Sequence, residues 1–428
     1  MEAKRQKRIV IAGAGLGGLA AACRLARNGH NVQLYERSKS LSTASGAIFV
    51  RSNAVRCFYR WQLGEALEAV TAPIRNHQTR NAFTNKLLHL AQSTPAYPEW
   101  STDRQALQTV LYDQACKAGA IVHFGNEIID ISEDDCHAYA TCKDGTKVTA
   151  DLLLAADGIS SRLRPKILVD HDPASLTPTR VPSTHYPAEI PEAILASSEL
   201  TRSICMKPDS EDSLMWAGEG GYAIGKYNHA RRLFNIMFSV QHDLDGEDRA
   251  QNLFDQTGDV RFIRNFFAPC HPILRTIAHM TDSCSQWRLA RLEPLDTWSS
   301  PGRRLVLLGD SAHAMLPNLA QGFSSIIEDI DVLSLLLETR YGTSDITEMW
   351  EKLRIPRVKK LQDASTWNYQ LYNSGKAPGD ELTSEERNRH TGDGNRDAPF
   401  NTLAFTKWIL DYDAAEETRK FIEYRAKI

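Results

Sequence analysis

The chain has 428 residues, with 50 Lys+Arg against 53 Asp+Glu and a formal net charge of -3. That length allows two or three domains with ample core, and the near balance of charge offers no basic surface for nucleic acid. No apolar segment approaches membrane-spanning length, so a soluble protein is expected. The basic stretch Lys4 to Arg8 leads only into a short apolar run and makes a poor signal peptide. The cysteines are scattered without a CxxC pair, which predicts reduced thiols in the cytoplasm and no metal site, Cys136, His137 and Cys142 included.

In chain order, Ile9 to Ala12 read as a strand, Gly13, Gly15 and Gly18 form G-x-G-x-x-G, and Leu19 to Arg27 read as a helix of small residues. Val32 to Tyr35 then form a second strand that ends at Glu36. The glycines permit a tight turn and close approach of backbone to a pyrophosphate, while the helix start favours phosphate charge. Glu36 is placed to bind ribose hydroxyls. This context makes the segment a dinucleotide site rather than a bare glycine turn.

Further on, Gly46 to Leu67 resembles a strand and a helix, Asp103 to Ala118 a helix, and Ile121 to Thr149 a β-meander. Leu152 to Ala155 form another buried strand, ending at Ala156, Asp157 and Gly158. Residues 165 to 200, rich in Pro, Ser and Thr, read as a connection. Met215 to Tyr227 and Arg232 to Gln241 look like antiparallel strands of a separate sheet, with Asn228 to Arg231 as their turn. Leu305 to Leu308 are a further apolar run, followed at once by Gly309 and Asp310, where a parallel strand would end and a binding loop begin. Pro317 closes that loop, Gly322 frees the backbone, and Phe323, Ile326, Ile327, Ile330, Leu333 and Leu337 recur at helical spacing. The chain from Trp350 onward reads as helical, with a polar mobile loop between Gly375 and Pro399 and a helical end.

Three motifs in this order, GAGLGG with Glu36 and Arg37, ADGISSRLR at Ala156 to Arg164, and GDSAHAMLPNLAQG at Gly309 to Gly322, make the chain resemble class A flavin-dependent aromatic hydroxylases. The resemblance is nearest to salicylate hydroxylase-like and fungal biosynthetic members, and WEKLRIPRVKKLQDAS at Trp350 to Ser365 extends it. It implies an α/β fold: a discontinuous, Rossmann-like FAD-binding domain of the glutathione reductase type, an inserted mixed β-sheet substrate domain and C-terminal helices. The expected division is 1–75, 101–170 and 285–345 for FAD, 76–100 and 171–284 for substrate, and 346–428 for the helical region.

The same resemblance implies residue roles. Gly13, Gly15, Gly18, Glu36 and Arg37 would serve the ADP half of FAD, and Arg104 the ribityl and phosphate region. Asp157 would support flavin and NAD(P)H use, with a helix cap as its bland alternative. Asp310 would bond the ribityl hydroxyls, Pro317 would lie by the isoalloxazine, and amides near Gly322 would stabilise charge on the reduced ring. NADPH or NADH would act as transient reductant, since no second strand-linked glycine motif is present. The implied reaction is transfer of one oxygen atom from a flavin C4a-hydroperoxide to an aromatic or phenolic small molecule, in secondary metabolism, by a monomer or homodimer.

A base or cation near the substrate hydroxyl would help by favouring phenolate. His313, Asn318, Tyr222, Tyr227 and Arg51 are the candidates, and the sequence alone does not place them. His313 follows the cofactor acid in the flavin loop without having to be the base, and the two tyrosines have strand packing as their commoner explanation. An epoxidase or other FAD oxidoreductase, or a catalytically silent flavin-binding protein, stands as the alternative. No two tryptophans are separated by one residue, which disfavours a halogenase.

Overall fold

A computed structural model describes residues 6–42, 46–92, 95–206, 212–241, 253, 256–373, 400 and 402–427. The polar stretch expected to form a mobile loop before Pro399 lies outside them. A five-stranded parallel sheet is assembled from distant segments, in the order Leu305–Leu307, Leu152–Ala155, Arg8–Ala12, Asn31–Glu36 and Ile121–Phe124. Its central strands are buried on both faces, which is why Ile9 to Ala12 and Leu152 to Ala155 read as apolar runs without alternation. The helix Leu16–Arg27 covers one face and packs against the helices Arg104–Lys117 and Gly322–Leu336. Of the expected meander, Ile121–Phe124 joins this parallel sheet. The strands Ile128–Glu133, Ala138–Cys142 and Lys147–Ala150 form a separate antiparallel one.

The second large sheet has eight strands, in the order Gln256–Thr257, Ser285–Arg291, Thr179–Pro191, Leu233–Gln241, Gly221–Asn228, Asp212–Gly218, Asn76–Asn81 and Leu87–Gln92. Met215 to Tyr227 spans two strands that turn at Glu219 and Gly220, the latter at φ +73°. One correction follows. The Pro-rich connection contains Thr179–Pro191, a strand inside the sheet. Its prolines misled because each sits where a missing N–H costs little. Pro182 falls in the register shift between Arg180 and Thr184, and Pro187 lies beyond the last pairing with Ser285–Arg291.

Between the two sheets stands a three-stranded antiparallel layer, Ala47–Val50, Glu99–Asp103 and Thr71–Ile74. The long helix Thr343–Asn373 runs from the core of the first unit to the inner face of the second. Among the described residues, no helix is long and apolar enough to cross a membrane.

Candidate functional site

The first strand ends at Gly13, which adopts φ +103°. A Cβ there would stand 2.5 Å from the Ala156 carbonyl oxygen, and one on Gly18 would stand 1.9 Å from the Gly13 oxygen. Both glycines are therefore fixed by close backbone approach. Gly15 differs, because a Cβ on it would meet nothing within 4 Å. The helix that starts there has no side-chain cap and no acid in its first turn, so no side chain of its own first turn takes its leading N–H groups. The Glu36 carboxylate accepts from the Ala14 amide at 2.7 Å and the Ser38 amide at 2.8 Å, tying the end of the second strand to the glycine turn. Arg37 is exposed just beyond it. Gln108, which the sequence did not single out, supports the same turn by donating to the Ala14 carbonyl at 2.8 Å.

Two carboxylates stand at the ends of neighbouring parallel strands. Asp157 Oδ2 accepts from the amides of Arg162 at 2.9 Å and Leu163 at 3.3 Å, while its Oδ1 is buried without a hydrogen-bond partner. It thus caps its own loop with one oxygen and keeps the other available. Asp310 follows Gly309 at φ +70°, is half-buried, and among the described residues accepts no hydrogen bond on its carboxylate. Sequence reasoning missed what joins these loops. Arg164 is 1% exposed and gives Nε to the Ser311 carbonyl at 2.6 Å, Nη1 to Leu176 at 2.9 Å and Nη2 to Ile159 at 2.7 Å. Burial lowers its pKa to about 10 against the opposing pull of Asp157 and Asp310.

The loop after Asp310 makes one turn at Pro317–Leu319, passes through Ala320 at φ +52°, and enters the helix Gly322–Leu336. That helix also begins without a side-chain cap or an early acid, and a Cβ on Gly322 would come no nearer than 3.9 Å to another group. Two uncapped helix starts, the open space before Gly15 and the unpartnered Asp310 carboxylate fit the phosphates and ribityl hydroxyls of FAD. Arg104 opens its helix from an exposed position, with its guanidinium 5.9 Å from the centre of the Trp287 ring.

Of the five residues expected near the substrate, Asn318 and Tyr222 are brought together, whereas His313, Tyr227 and Arg51 each have other partners. His313 is 1% exposed, with Nε2 2.7 Å from Asp329 Oδ2 and its ring 4.9 Å from that of Trp298. It belongs to a buried network in which Arg354 meets Asp329 at 2.6 Å and Glu328 at 2.8 Å, and Arg357 meets Glu328 at 2.8 Å. Burial alone would raise both acids, but the guanidinium charges of Arg354 and Arg357 outweigh it and hold them below the usual carboxylate range. Arg51 pairs with Glu99 at 2.7 Å, and its amide donates to Ser324 Oγ at 3.1 Å. Tyr227 faces the far side of the eight-stranded sheet, where its hydroxyl donates to Glu192 and its ring joins the core beneath the flanking helices. The reason is parity, since residues five apart on a strand point to opposite faces.

Tyr222 alone of the two tyrosines faces the first unit. Asn318, next to Pro317, donates Nδ2 to the Tyr222 hydroxyl at 3.0 Å, and His185 Nε2 lies 3.1 Å from the same oxygen. Burial pushes the Tyr222 pKa well up and pulls His185 down to about 3, so both are neutral. Asn318 is held from behind by Asn368, whose Nδ2 donates to its carbonyl at 3.0 Å, and its own Oδ1 is buried without a partner. His185 lay in the stretch taken for a connection, and its inward alternation with Ser183 and Pro187 was the signal that could have revealed it.

The sequence matches the family model described as FAD binding domain over residues 6–365. An FAD-dependent monooxygenase, atnJ, from Arthrinium sp is 25% identical over 83% of this chain and 83% of its own. A 6-hydroxynicotinate 3-monooxygenase from Bordetella bronchiseptica is 27% identical over 84% of this chain and 91% of its own. A salicylate hydroxylase substrate complex has the same fold, with a TM-score of 0.79 at 23% identity over 98% of each chain. With the glycine turn, the paired strand-end acids and the loop after Asp310 all in place, the chain belongs to this FAD-binding family of flavin-dependent monooxygenases.

Proposed function

We propose that this monooxygenase uses NAD(P)H and O2 to hydroxylate an aromatic or phenolic small molecule. Bound FAD supplies the oxygen activation, drawing its electrons from the nicotinamide. The amides opening the helix at Gly15 take the pyrophosphate, Glu36 and Arg37 border the adenosine ribose, and Asp310 takes ribityl hydroxyls. Arg104 and the free oxygen of Asp157 flank the cofactor's middle. Pro317 borders the isoalloxazine, and the amides at Gly322 face developing negative charge.

The observation that carries the reading is the Asn318–Tyr222 hydrogen bond, which sets the flavin-side loop against the inner face of the substrate sheet. Tyr222 positions Asn318, and the unpartnered Asn318 Oδ1 is the acceptor left for a substrate hydroxyl. Arg51, paired with Glu99, borders the same space. His313 steadies the loop through Asp329 rather than taking the substrate proton. All eight cysteines are free, which supports a cytoplasmic setting.

The test is turnover of the FAD-loaded protein with NADPH, labelled O2 and a panel of phenols and fused arenes. One labelled oxygen atom in the product is the expected result, and a dehydrogenated, unlabelled product would sink the proposal.

A further inference from the structure

The inner face of the substrate sheet carries Met215, Ala217, Tyr222, Ile224 and Met237, against which Tyr372 of the long helix packs. Ile224, Met237 and Tyr372 stay only half-buried there, so apolar surface remains for a planar ring. The polar groups beside them, the Asn318 amide, the Tyr222 hydroxyl and the His185 imidazole, are uncharged hydrogen-bonding groups.

The cations around this face are already matched. Arg51 lies 2.7 Å from Glu99, whose side chain is 2% exposed, and His77 Nε2 lies 3.5 Å from the same carboxylate. Arg231 sits between Asp103 at 3.4 Å and Glu189 at 3.6 Å. Lys226 stands two residues past Ile224 on the same strand and so on the same face, where it is 2% exposed and already engaged. Arg104 stands over Trp287 on the side given to the cofactor. A carboxylate entering among Ile224, Met237 and Tyr372 would give up its hydration while having to share Arg51 with Glu99, and would gain no cation of its own.

We infer that the substrate end received by this face is uncharged: an aromatic ring bearing a neutral O–H or N–H, as in a phenol or an indole, and not a ring carboxylate. The inference rests on the hydroxylase reading above. It also sets this chain apart from the relative whose name specifies 6-hydroxynicotinate, an acid. The buried acceptor on Asn318 matches a donor on such a ring, and the surrounding apolar side chains match its faces.

The experiment titrates the FAD-loaded protein with matched probes and follows the flavin absorbance. The pairs are naphthol against hydroxynaphthoate, indole against indole carboxylate, and phenol against salicylate. The neutral member of each pair is expected to bind at least about tenfold tighter. Carboxylates that bind as tightly, or neutral probes that leave the flavin unperturbed, overturn the inference. Met237→Arg supplies the missing cation, and in a variant that keeps its FAD the preference should move about tenfold toward the carboxylates. A folded, flavin-loaded Met237→Arg with the original preference overturns the placement of the ring. Label transfer from O2 is scored separately. Transfer that favours carboxylates defeats the charge inference alone, whereas no transfer to any arene defeats the hydroxylase reading and leaves the binding preference to be judged by absorbance.

Discussion

Asn318 Nδ2 donates to the Tyr222 hydroxyl across 3.0 Å, so the residue that follows Pro317 is bonded directly to a strand of the eight-stranded sheet. The loop after Asp310 and the inner face of that sheet are therefore joined in one buried assembly.

Tyr222→Phe keeps the ring against Tyr372, 5.7 Å away, but leaves Asn318 Nδ2 and His185 Nε2 without their partner. Unmaking buried bonds of this kind costs roughly 1–3 kcal/mol. FAD binding and flavin reduction should persist, while product formed per NADPH falls severalfold and hydrogen peroxide rises to match. Unchanged coupling, measured as peroxide against product, would show that the bond does not position the loop.

Asp310→Ala removes a half-buried carboxylate that no described group hydrogen-bonds. Charged hydrogen bonds contribute roughly 1.5–3 kcal/mol, so FAD affinity should weaken by about 10- to 150-fold. The fold should survive, because no hydrogen bond among the described residues is lost. Flavin fluorescence released on dilution measures this, and wild-type retention of FAD would contradict the assigned role.

Arg354→Met leaves Glu328 and Asp329 buried with less compensating charge. Breaking a buried pair from one side costs about 3–5 kcal/mol, so urea unfolding should shift strongly. Lys420→Ala, on an exposed helical pair, should shift it by less than about 0.5 kcal/mol. Similar midpoints for the two variants would mean that the network contributes little.

His185 is buried and neutral, with its pKa pulled from 6.5 to about 3. The unfolded chain therefore binds a proton that the folded chain refuses throughout that interval. The stability from this residue is complete above pH 6.5 and is lost progressively as pH falls toward about 3, by up to ~1.4 kcal/mol per pH unit. His185→Gln should flatten the dependence of unfolding free energy on pH between about 6 and 5, where carboxylates titrate less. An equally steep slope in the variant would mean that His185 is not desolvated.

Gly18→Ala would set a Cβ 1.9 Å from the Gly13 carbonyl oxygen, and backbone cannot yield there cheaply. The variant should lose FAD and melt lower. Gly15→Ala, with nothing within 4 Å of the new methyl, should fold normally and weaken FAD alone. Equal melting of the two would refute the difference in their constraints.

The parallel-sheet half of the molecule was legible because its determinants are local. The glycines, Glu36, Asp157 and Asp310 each sit at a strand end that short sequence windows reveal. The eight-stranded sheet was less so. Thr179–Pro191 hid behind prolines whose harmlessness depends on which neighbour pairs where, a non-local fact. The candidates Tyr222 and Tyr227 were treated alike, although strand parity separates them once Gly221–Asn228 is known as one strand. His313 was ambiguous because its partners Asp329 and Arg354 come from helices that only folding brings to it.

Arg164 binds backbone carbonyls of Ile159, Leu176 and Ser311 rather than side chains. Those acceptors exist whatever residues occupy the three positions, so substitution there removes no partner. Arg164 has no such freedom, since lysine cannot span three separated carbonyls with a planar fork. The joint between the two acid-bearing loops is thus tolerant on one side and intolerant on the other, and sequence drift around it should concentrate on the carbonyl side while the guanidinium stays.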